Sequence, residues 1–184
     1  DRRHSPKGRA GLMREWLRQL AEQGFDPLSL RGSYAGAMGM EQFIPSSFRA
    51  YAVDFDGDGH ADIWNSRADA IGSVANYFKR HGWEYVAPVV MAARVIGPVA
   101  KERMNPGLEP DVTVSELAAL GIAANGTIDA AERVLPLMLD TDAGTEYWLG
   151  LHNFHVITRY NRSALYAIAV HQLSQAIRTG YERP

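Results

Sequence analysis

Residues 54–69 read DFDGDGHADIWNSRAD, and this acidic stretch decides how the first half of the chain folds. Its aspartates stand at positions 1, 3 and 5 of a loop that has glycine at position 6. An EF-hand loop uses side-chain oxygens at those three positions, a sharp glycine turn and a backbone carbonyl at position 7. The predicted ligands are the side chains of Asp54, Asp56 and Asp58 and the backbone carbonyl of His60.

The closing ligand of this loop is left open by the sequence. Position 12 is Asn65 rather than glutamate, so the last carboxylate is expected from Asp62 or Asp69. Magnesium is disfavoured because it keeps its waters and rarely uses an all-protein cage. A solvated acidic turn is the alternative, but aspartates this close repel one another unless a cation neutralises them. The stretch therefore predicts a structural Ca²⁺ site.

A glycine-punctuated segment, GSYAGAMGMEQFIPSSF at residues 32–48, precedes the acidic loop. Glycine at this density allows positive φ and a close approach of the backbone to a ligand. The alternative is a plain connection between two helices, with Phe43 in a core. Pro45 is well placed to begin a helix, because its fixed φ suits the first helical position.

Three amphipathic helices are predicted from apolar periodicity and from capping residues. They cover residues 5–24, residues 67–82 and a final helix that begins near Tyr160, Asn161 and Tyr166. The expected buried faces are Leu12, Met13, Trp16, Leu17 and Leu20 in the first helix, Ile71, Val74, Ala75 and Phe78 in the second, and Leu165, Ile168, Ala169 and Leu173 in the third.

Residues 86–147 change character. The segment from residue 86 to 99 is rich in valine and alanine and contains Pro88, Gly97 and Pro98, which indicates a strand and a turn. Thr113 and Glu116 form a capping box for a short helix, and residues 134–139 predict another strand. This segment is expected to be a small α+β lobe.

Together with the acidic loop, three runs resemble the membrane-bound lytic transglycosylase B family: GSYAGAMGMEQFIPSSF, ADAIGSVANYFKRHGW at 68–83 and YWLGLHNFHVITRYNRSALYAIAVHQL at 147–173. The resemblance implies an α+β, mainly α fold, with a lysozyme-like helical core and a small inserted α+β lobe. Residues 1–85 would form the core with its calcium loop at 54–69, residues 86–147 the lobe, and residues 148–184 the return to the core.

The family acts on bacterial peptidoglycan, so the resemblance implies cleavage of the MurNAc–GlcNAc β-1,4 bond with a 1,6-anhydro product. It also implies a periplasmic location with an outer-membrane anchor. The family's glutamate acid/base lies on a helix upstream of the glycine-rich loop, and we expect it before Asp1 rather than at Glu41. The matching glycan-contacting positions, expected to share one groove, are Ser33, Gln42, Phe43, Tyr77, Tyr160, Asn161 and Tyr166.

Composition narrows the choice of partner. The 184 residues carry a net charge of −2, so no excess of basic residues favours nucleic acid. No apolar run approaches the length of about 18 residues that a membrane span needs. The sequence leaves two functions open: a lytic transglycosylase, or a calcium-stabilised module that binds peptidoglycan glycan strands without cleaving them.

Overall fold

The computed structural model describes residues 6–28, 30–96 and 103–182. The chain divides into two compact units, residues 1–80 and 81–184. The first unit contains the helices α1 (Pro6–Glu22), α2 (Pro45–Tyr51) and α3 (Arg67–Arg80). The second contains the strands β1 (Val90–Val95), β2 (Val112–Thr113), β3 (Ile122–Ala124), β4 (Arg133–Thr141) and β5 (Gly144–Gly150), and the helices α4 (Val114–Ala119), α5 (His152–Tyr160) and α6 (Ala164–Tyr181).

Aromatic packing holds α1 against the rest of the first unit. Trp16 and Leu20 are each 1% exposed. The Trp16 ring lies 5.3 Å from Phe48 of α2 and 5.9 Å from Trp64, between ring centroids. Met13 and Leu17 are exposed, so the predicted buried stripe was too wide. Among the described side chains of α1, the buried ones are Trp16, Gln19 and Leu20, which share one face of the helix.

The buried face of α3 differs from the prediction. Ala70, Ser73 and Tyr77 are buried, whereas Ile71 is 71% exposed. Ala75 is exposed as well, and Val74 and Phe78 are only partly covered. The prediction was wrong because it followed the apolar residues alone. The helix instead buries the face whose Ser73 hydroxyl accepts a hydrogen bond from the Val53 amide at 3.0 Å.

The second unit is built on a five-stranded antiparallel sheet in the order β2-β4-β5-β1-β3. Helix α4 begins with the predicted capping box. The Thr113 side chain accepts from the Glu116 amide, and the Glu116 carboxylate accepts from the Thr113 amide. One buried apolar cluster of this unit comprises Met104, Leu117, Ile122, Val134, Leu149 and Leu151.

The helices α5 and α6 follow the sheet in the same unit. Helix α6 begins after Ser163, whose side chain accepts from the Tyr166 amide. It buries Ala167 and Ile168, while Leu165 and Leu173 are 70% and 61% exposed and Ala169 is exposed. The predicted inner face of this helix was therefore wrong except at Ile168. Within the part of the chain that the structure describes, every helix is too short or too polar to span a lipid bilayer.

Helices and an antiparallel sheet in one chain confirm the α+β class. The expected domain boundaries at 85/86 and 147/148 stay predictions. Strand β5 runs across the second of these boundaries, and the first unit ends at residue 80.

We predict that Gly39→Ala destabilises the protein by about 2–4 kcal/mol, because it combines unfavourable φ with overpacking. Gly39 has φ +77°, and an added Cβ would lie 2.5 Å from Ile63 Cδ1. Gly24 is a matched control, since its φ is +76° but its nearest contact would be at 4.0 Å. Urea unfolding of Gly39→Ala and Gly24→Ala separates the cost of the unfavourable φ from the cost of overpacking. Equal losses of stability in the two variants would show that the contact with Ile63 adds nothing to the destabilisation by Gly39→Ala.

Candidate functional site

Four carboxylates converge at the start of α3. Asp54, Asp56, Asp58 and Asp69 each offer an oxygen, and these atoms lie within 4.8 Å of one another. Positive φ at Gly57 and Gly59, +81° and +97°, lets the loop turn sharply enough to bring the carboxylates together. Oxygen ligands clustered at this spacing suit a hard divalent cation such as Ca²⁺.

Backbone amides shape the loop around its first aspartate. The Asp54 carboxylate accepts from the amides of Gly57 at 2.6 Å and Gly59 at 2.8 Å. The Ser66 hydroxyl donates to Asp56 Oδ2 at 2.8 Å. The carboxylates are therefore positioned by local hydrogen bonds.

Asp69 is the fourth carboxylate of the cluster. It is fully buried in the first turn of α3. Its Oδ1 accepts from the Phe55 amide and its Oδ2 from the Asp62 amide, both at 2.8 Å. The Asp62 carboxylate is not in the cluster and instead accepts from the amide and side chain of Asn65. Of the two predicted closing residues, only Asp69 lies with the other three.

The glycine-rich loop is tied to the acidic loop by one backbone bond. The Met40 amide donates to the Ile63 carbonyl at 2.9 Å. Ser33 Oγ accepts from the Ala37 amide at 3.1 Å, and Gln42 Nε2 donates to the Gly39 carbonyl at 2.9 Å. Both side chains are exposed, and Gln42 adopts φ +56°. A positive φ outside glycine is uncommon and often marks a functional position.

Phe43 and Tyr77 lie together in an aromatic cluster with Tyr51. The Phe43 and Tyr77 ring centroids are 6.1 Å apart, and those of Tyr51 and Tyr77 are 4.7 Å apart. Phe43 is 3% exposed and Tyr77 8%. The predicted glycan-contacting pair therefore forms part of the packing of the first unit. Contact between either ring and a glycan stays a prediction.

The remaining predicted contacts lie in the second unit. The Tyr160 and Tyr166 rings stack 6.5 Å apart with an interplanar angle of 4°. Asn161 lies between the helices α5 and α6 and is exposed. The expectation that these residues and those of the first unit share one groove stays a prediction.

Glu41 has a property that sequence patterns did not reveal. It is 7% exposed, and burial raises its pKa to about 7, with the negative charge of Asp69 adding to the effect. It lines an apolar cavity of about 560 Å³ whose other lining residues are Met40, Arg67, Ala70, Ile71, Val74, Ala75 and Phe78. The raised pKa suits a proton donor near neutral pH.

Comparison with known proteins places the whole fold in one family. Residues 9–175 match the family model described as transglycosylase SLT domain. The membrane-bound lytic murein transglycosylase B of Escherichia coli is 45% identical over 168 residues, covering 91% of this chain and 45% of that protein. The chain thus spans about half the length of this curated relative.

Solved structures of lytic transglycosylases superpose closely on the chain. SltB1 from Pseudomonas aeruginosa gives a TM-score of 0.86 at 52% identity, covering 92% of this chain and 56% of its own. Slt35 from Escherichia coli, solved in complex with calcium, gives a TM-score of 0.81 at 43% identity, and the match covers 92% of this chain and 53% of Slt35. SltB3 from Pseudomonas aeruginosa in complex with NAG-anhNAM-pentapeptide gives 0.70 at 36% identity, with coverages of 83% and 41%.

We predict that Glu41→Gln removes a pH-dependent loss of stability. The folded protein keeps the Glu41 proton up to pH about 7, whereas an ordinary glutamate has a pKa of 4.5. Stability therefore falls as pH rises between these values, by about 3 kcal/mol, and the penalty is fully present above pH 7. Urea unfolding at pH 5 and pH 8, with a chelator present, measures this slope.

The control for this variant is Glu182→Gln, which changes an exposed glutamate at the end of α6. It should retain the wild-type pH slope. A Glu41→Gln protein with the wild-type slope would show that burial does not perturb the Glu41 carboxyl.

Proposed function

The chain belongs to the transglycosylase SLT domain family, and from that premise we propose that the protein is a lytic transglycosylase of peptidoglycan. The match to residues 9–175, which includes every predicted site residue except the catalytic acid, carries this proposal. The reaction would cleave the β-1,4 bond between MurNAc and GlcNAc and leave a 1,6-anhydro end. A glycan-binding module without catalysis is less well supported, because the relatives that match 91% and 92% of this chain are lytic transglycosylases.

The proposed reaction needs one carboxyl group near neutral pKa. The carboxyl group first donates its proton to the glycosidic oxygen of the leaving group. It then accepts the proton of the C6 hydroxyl while the C6 oxygen attacks C1. Family resemblance favours a glutamate on a helix upstream of residue 32 for this role. Glu41 has the raised pKa but belongs to the loop itself.

Polar and aromatic side chains supply the proposed glycan contacts. Ser33 and Gln42 lie on the exposed surface of the glycine-rich loop, where their polar groups can bond sugar hydroxyls and acetamido groups. The Tyr160 and Tyr166 rings offer flat apolar faces with polar tips, which suit a pyranose. Phe43, Tyr77 and Asn161 complete the proposed set. The substrate also implies a periplasmic location.

We further propose that the acidic cluster binds one Ca²⁺ with a structural role. Asp54, Asp56, Asp58 and Asp69 would hold it through side chains, and His60 through its backbone carbonyl. The cation supplies charge neutralisation when bound. The buried Asp69 favours this assignment, because a fully buried carboxylate beside three others needs compensation.

Thermal unfolding with calcium and with chelator tests the metal proposal. Binding to the folded state alone stabilises it by about 3–4 kcal/mol at metal levels between 100 and 1,000 times the dissociation constant. Asp54→Ala should remove most of that gain, because it deletes a carboxylate of the cluster. Identical melting of the wild type in both conditions would contradict calcium binding.

Asp62→Asn is the matched control for the metal, since Asp62 lies outside the cluster. It should lower the melting temperature in both conditions, through lost turn bonds, and keep the calcium increment. A loss of the increment in this variant, with Asp69→Asn retaining it, would reverse the assignment of the closing ligand.

Peptidoglycan digestion by the natural full-length protein tests the catalytic proposal. We expect Gln42→Ala and Tyr166→Ala to reduce the release of anhydro-muropeptides from purified sacculi. Each should weaken glycan binding by about 1–3 kcal/mol, the range for a buried polar or aromatic contact. Absence of anhydro products from the wild type would refute the proposed reaction.

Glu41→Gln in the same assay decides whether Glu41 or the upstream glutamate favoured by the family resemblance is the acid. We expect this variant to keep most of the activity, because the family acid lies elsewhere. Abolished release, in a variant that folds normally, would assign the acid role to Glu41.

A further inference from the structure

A polar cavity of about 180 Å³ in the second unit is lined by Leu108, Glu109, His155, Thr158, Arg159 and Arg162. Arg159 lies in the last turn of α5, and Arg162 lies in the connection to α6. Between them in the sequence are Tyr160 and Asn161, which are proposed glycan contacts. Consecutive Cα atoms are about 3.8 Å apart, so the cavity adjoins the segment for which we propose contact with sugar.

The size of this cavity limits what it can enclose. Pockets that enclose a whole small molecule measure about 300–1,000 Å³. This cavity is smaller, at about 180 Å³. It therefore suits one end group of a larger ligand and is too small for a sugar unit with its substituents.

The charges that line the cavity are of both signs. Arg159 and Arg162 are exposed and bring two positive charges, and Glu109 brings one negative charge. A guanidinium group binds a carboxylate through two parallel hydrogen bonds, a geometry that an ammonium group cannot provide. A glutamate carboxylate in turn accepts hydrogen bonds from an ammonium group. The set complements an end group that carries a carboxylate and an ammonium.

The acidic side chain is held beside the cavity by His155. The Nδ1 atom of His155 donates to the Leu108 carbonyl oxygen at 2.9 Å, so this nitrogen carries a proton. Glu109 Oε2 lies 3.5 Å from the same nitrogen. The Glu109 side chain is nevertheless 69% exposed, so its carboxylate remains accessible to a ligand.

We propose that this cavity binds a zwitterionic α-amino-acid end group, with the carboxylate on Arg159 and Arg162 and the ammonium on Glu109. The ligand class rests on the proposed function, because the stem peptides of peptidoglycan can carry a diamino acid whose free end bears both charges. The cavity thus recognises the peptide that is attached to the glycan strand. This gives the protein a specificity that contacts with sugar alone do not provide.

Calorimetric titration of the natural full-length protein with three synthetic ligands tests the site. The ligands are the disaccharide GlcNAc–MurNAc alone, the disaccharide with the tripeptide L-Ala-D-Glu-meso-diaminopimelate, and the same compound with L-lysine in the third position. None contains a MurNAc–GlcNAc bond, so the proposed reaction does not consume them. The lysine compound lacks only the carboxylate of the free end. We expect the wild type to bind the diaminopimelate compound about tenfold more tightly than the lysine compound.

Variants assign this preference to the cavity. Arg162→Gln should remove most of the tenfold difference, and Arg162→Lys should retain only part of it, because a lysine keeps the charge without the fork. Glu109→Gln should weaken both peptide compounds and leave the bare disaccharide unaffected. Arg178→Gln is the matched control, since Arg178 is an exposed arginine in the last turn of α6, and it should keep the full preference. Thermal unfolding should be unchanged in these variants.

The outcomes separate the end-group site from the proposed function. Equal binding of the two peptide compounds by the wild type, or a full preference in Arg162→Gln, would overturn the site. Release of anhydro-muropeptides from sacculi by the same wild-type protein would then leave the proposed function intact. Inorganic phosphate that binds in an Arg162-dependent way, without a preference for diaminopimelate, would assign the cavity to a simple anion and overturn the zwitterionic assignment.

Discussion

The first unit depends on one buried carboxylate. Asp69 lies in the first turn of α3, where the helix dipole favours a negative charge and the Ser66 hydroxyl accepts from the Asp69 amide at 3.2 Å. Its two oxygens accept from the amides of Phe55 and Asp62, which are two separate positions of the acidic loop. These bonds hold two parts of the loop against the start of α3. The same carboxylate also joins the other three in the cluster, so the helix start, the loop shape and the proposed metal site share one residue.

Ile63 connects the acidic loop to the glycine-rich loop. This residue is fully buried, its carbonyl accepts from the Met40 amide, and its side chain lies where a Cβ on Gly39 would be. Gly39 is thus needed for close packing as well as for its positive φ. A rigid acidic loop in this way sets the backbone that displays Gln42. A cation bound at the proposed site would act on the proposed glycan contacts through this packing, without touching the substrate.

Features set by residues close together in the sequence were predictable, whereas the face that each helix buries was not. The aspartates of the acidic loop, the Pro45 helix start and the Thr113 capping box all follow from spacing within a few residues. Helix α3 shows the limit. Its apolar residues predict a buried face through Ile71, but Tyr77 packs on Phe43 and Tyr51, which come from distant segments. The apolar periodicity of one helix carries no information about an aromatic cluster that distant segments form only in the folded chain. The buried state of Glu41 was hidden for the same reason.

The cluster and Glu41 act on each other electrostatically. Burial is the main cause of the raised Glu41 pKa, and the charge of Asp69 contributes in the same direction. A cation bound at Asp69 would offset that charge and lower the Glu41 pKa without altering its burial. The reverse follows by linkage, since ionised Glu41 adds negative charge near the cluster and favours the cation. Binding of the proposed cation would therefore be coupled to the protonation of Glu41 through the charge of Asp69.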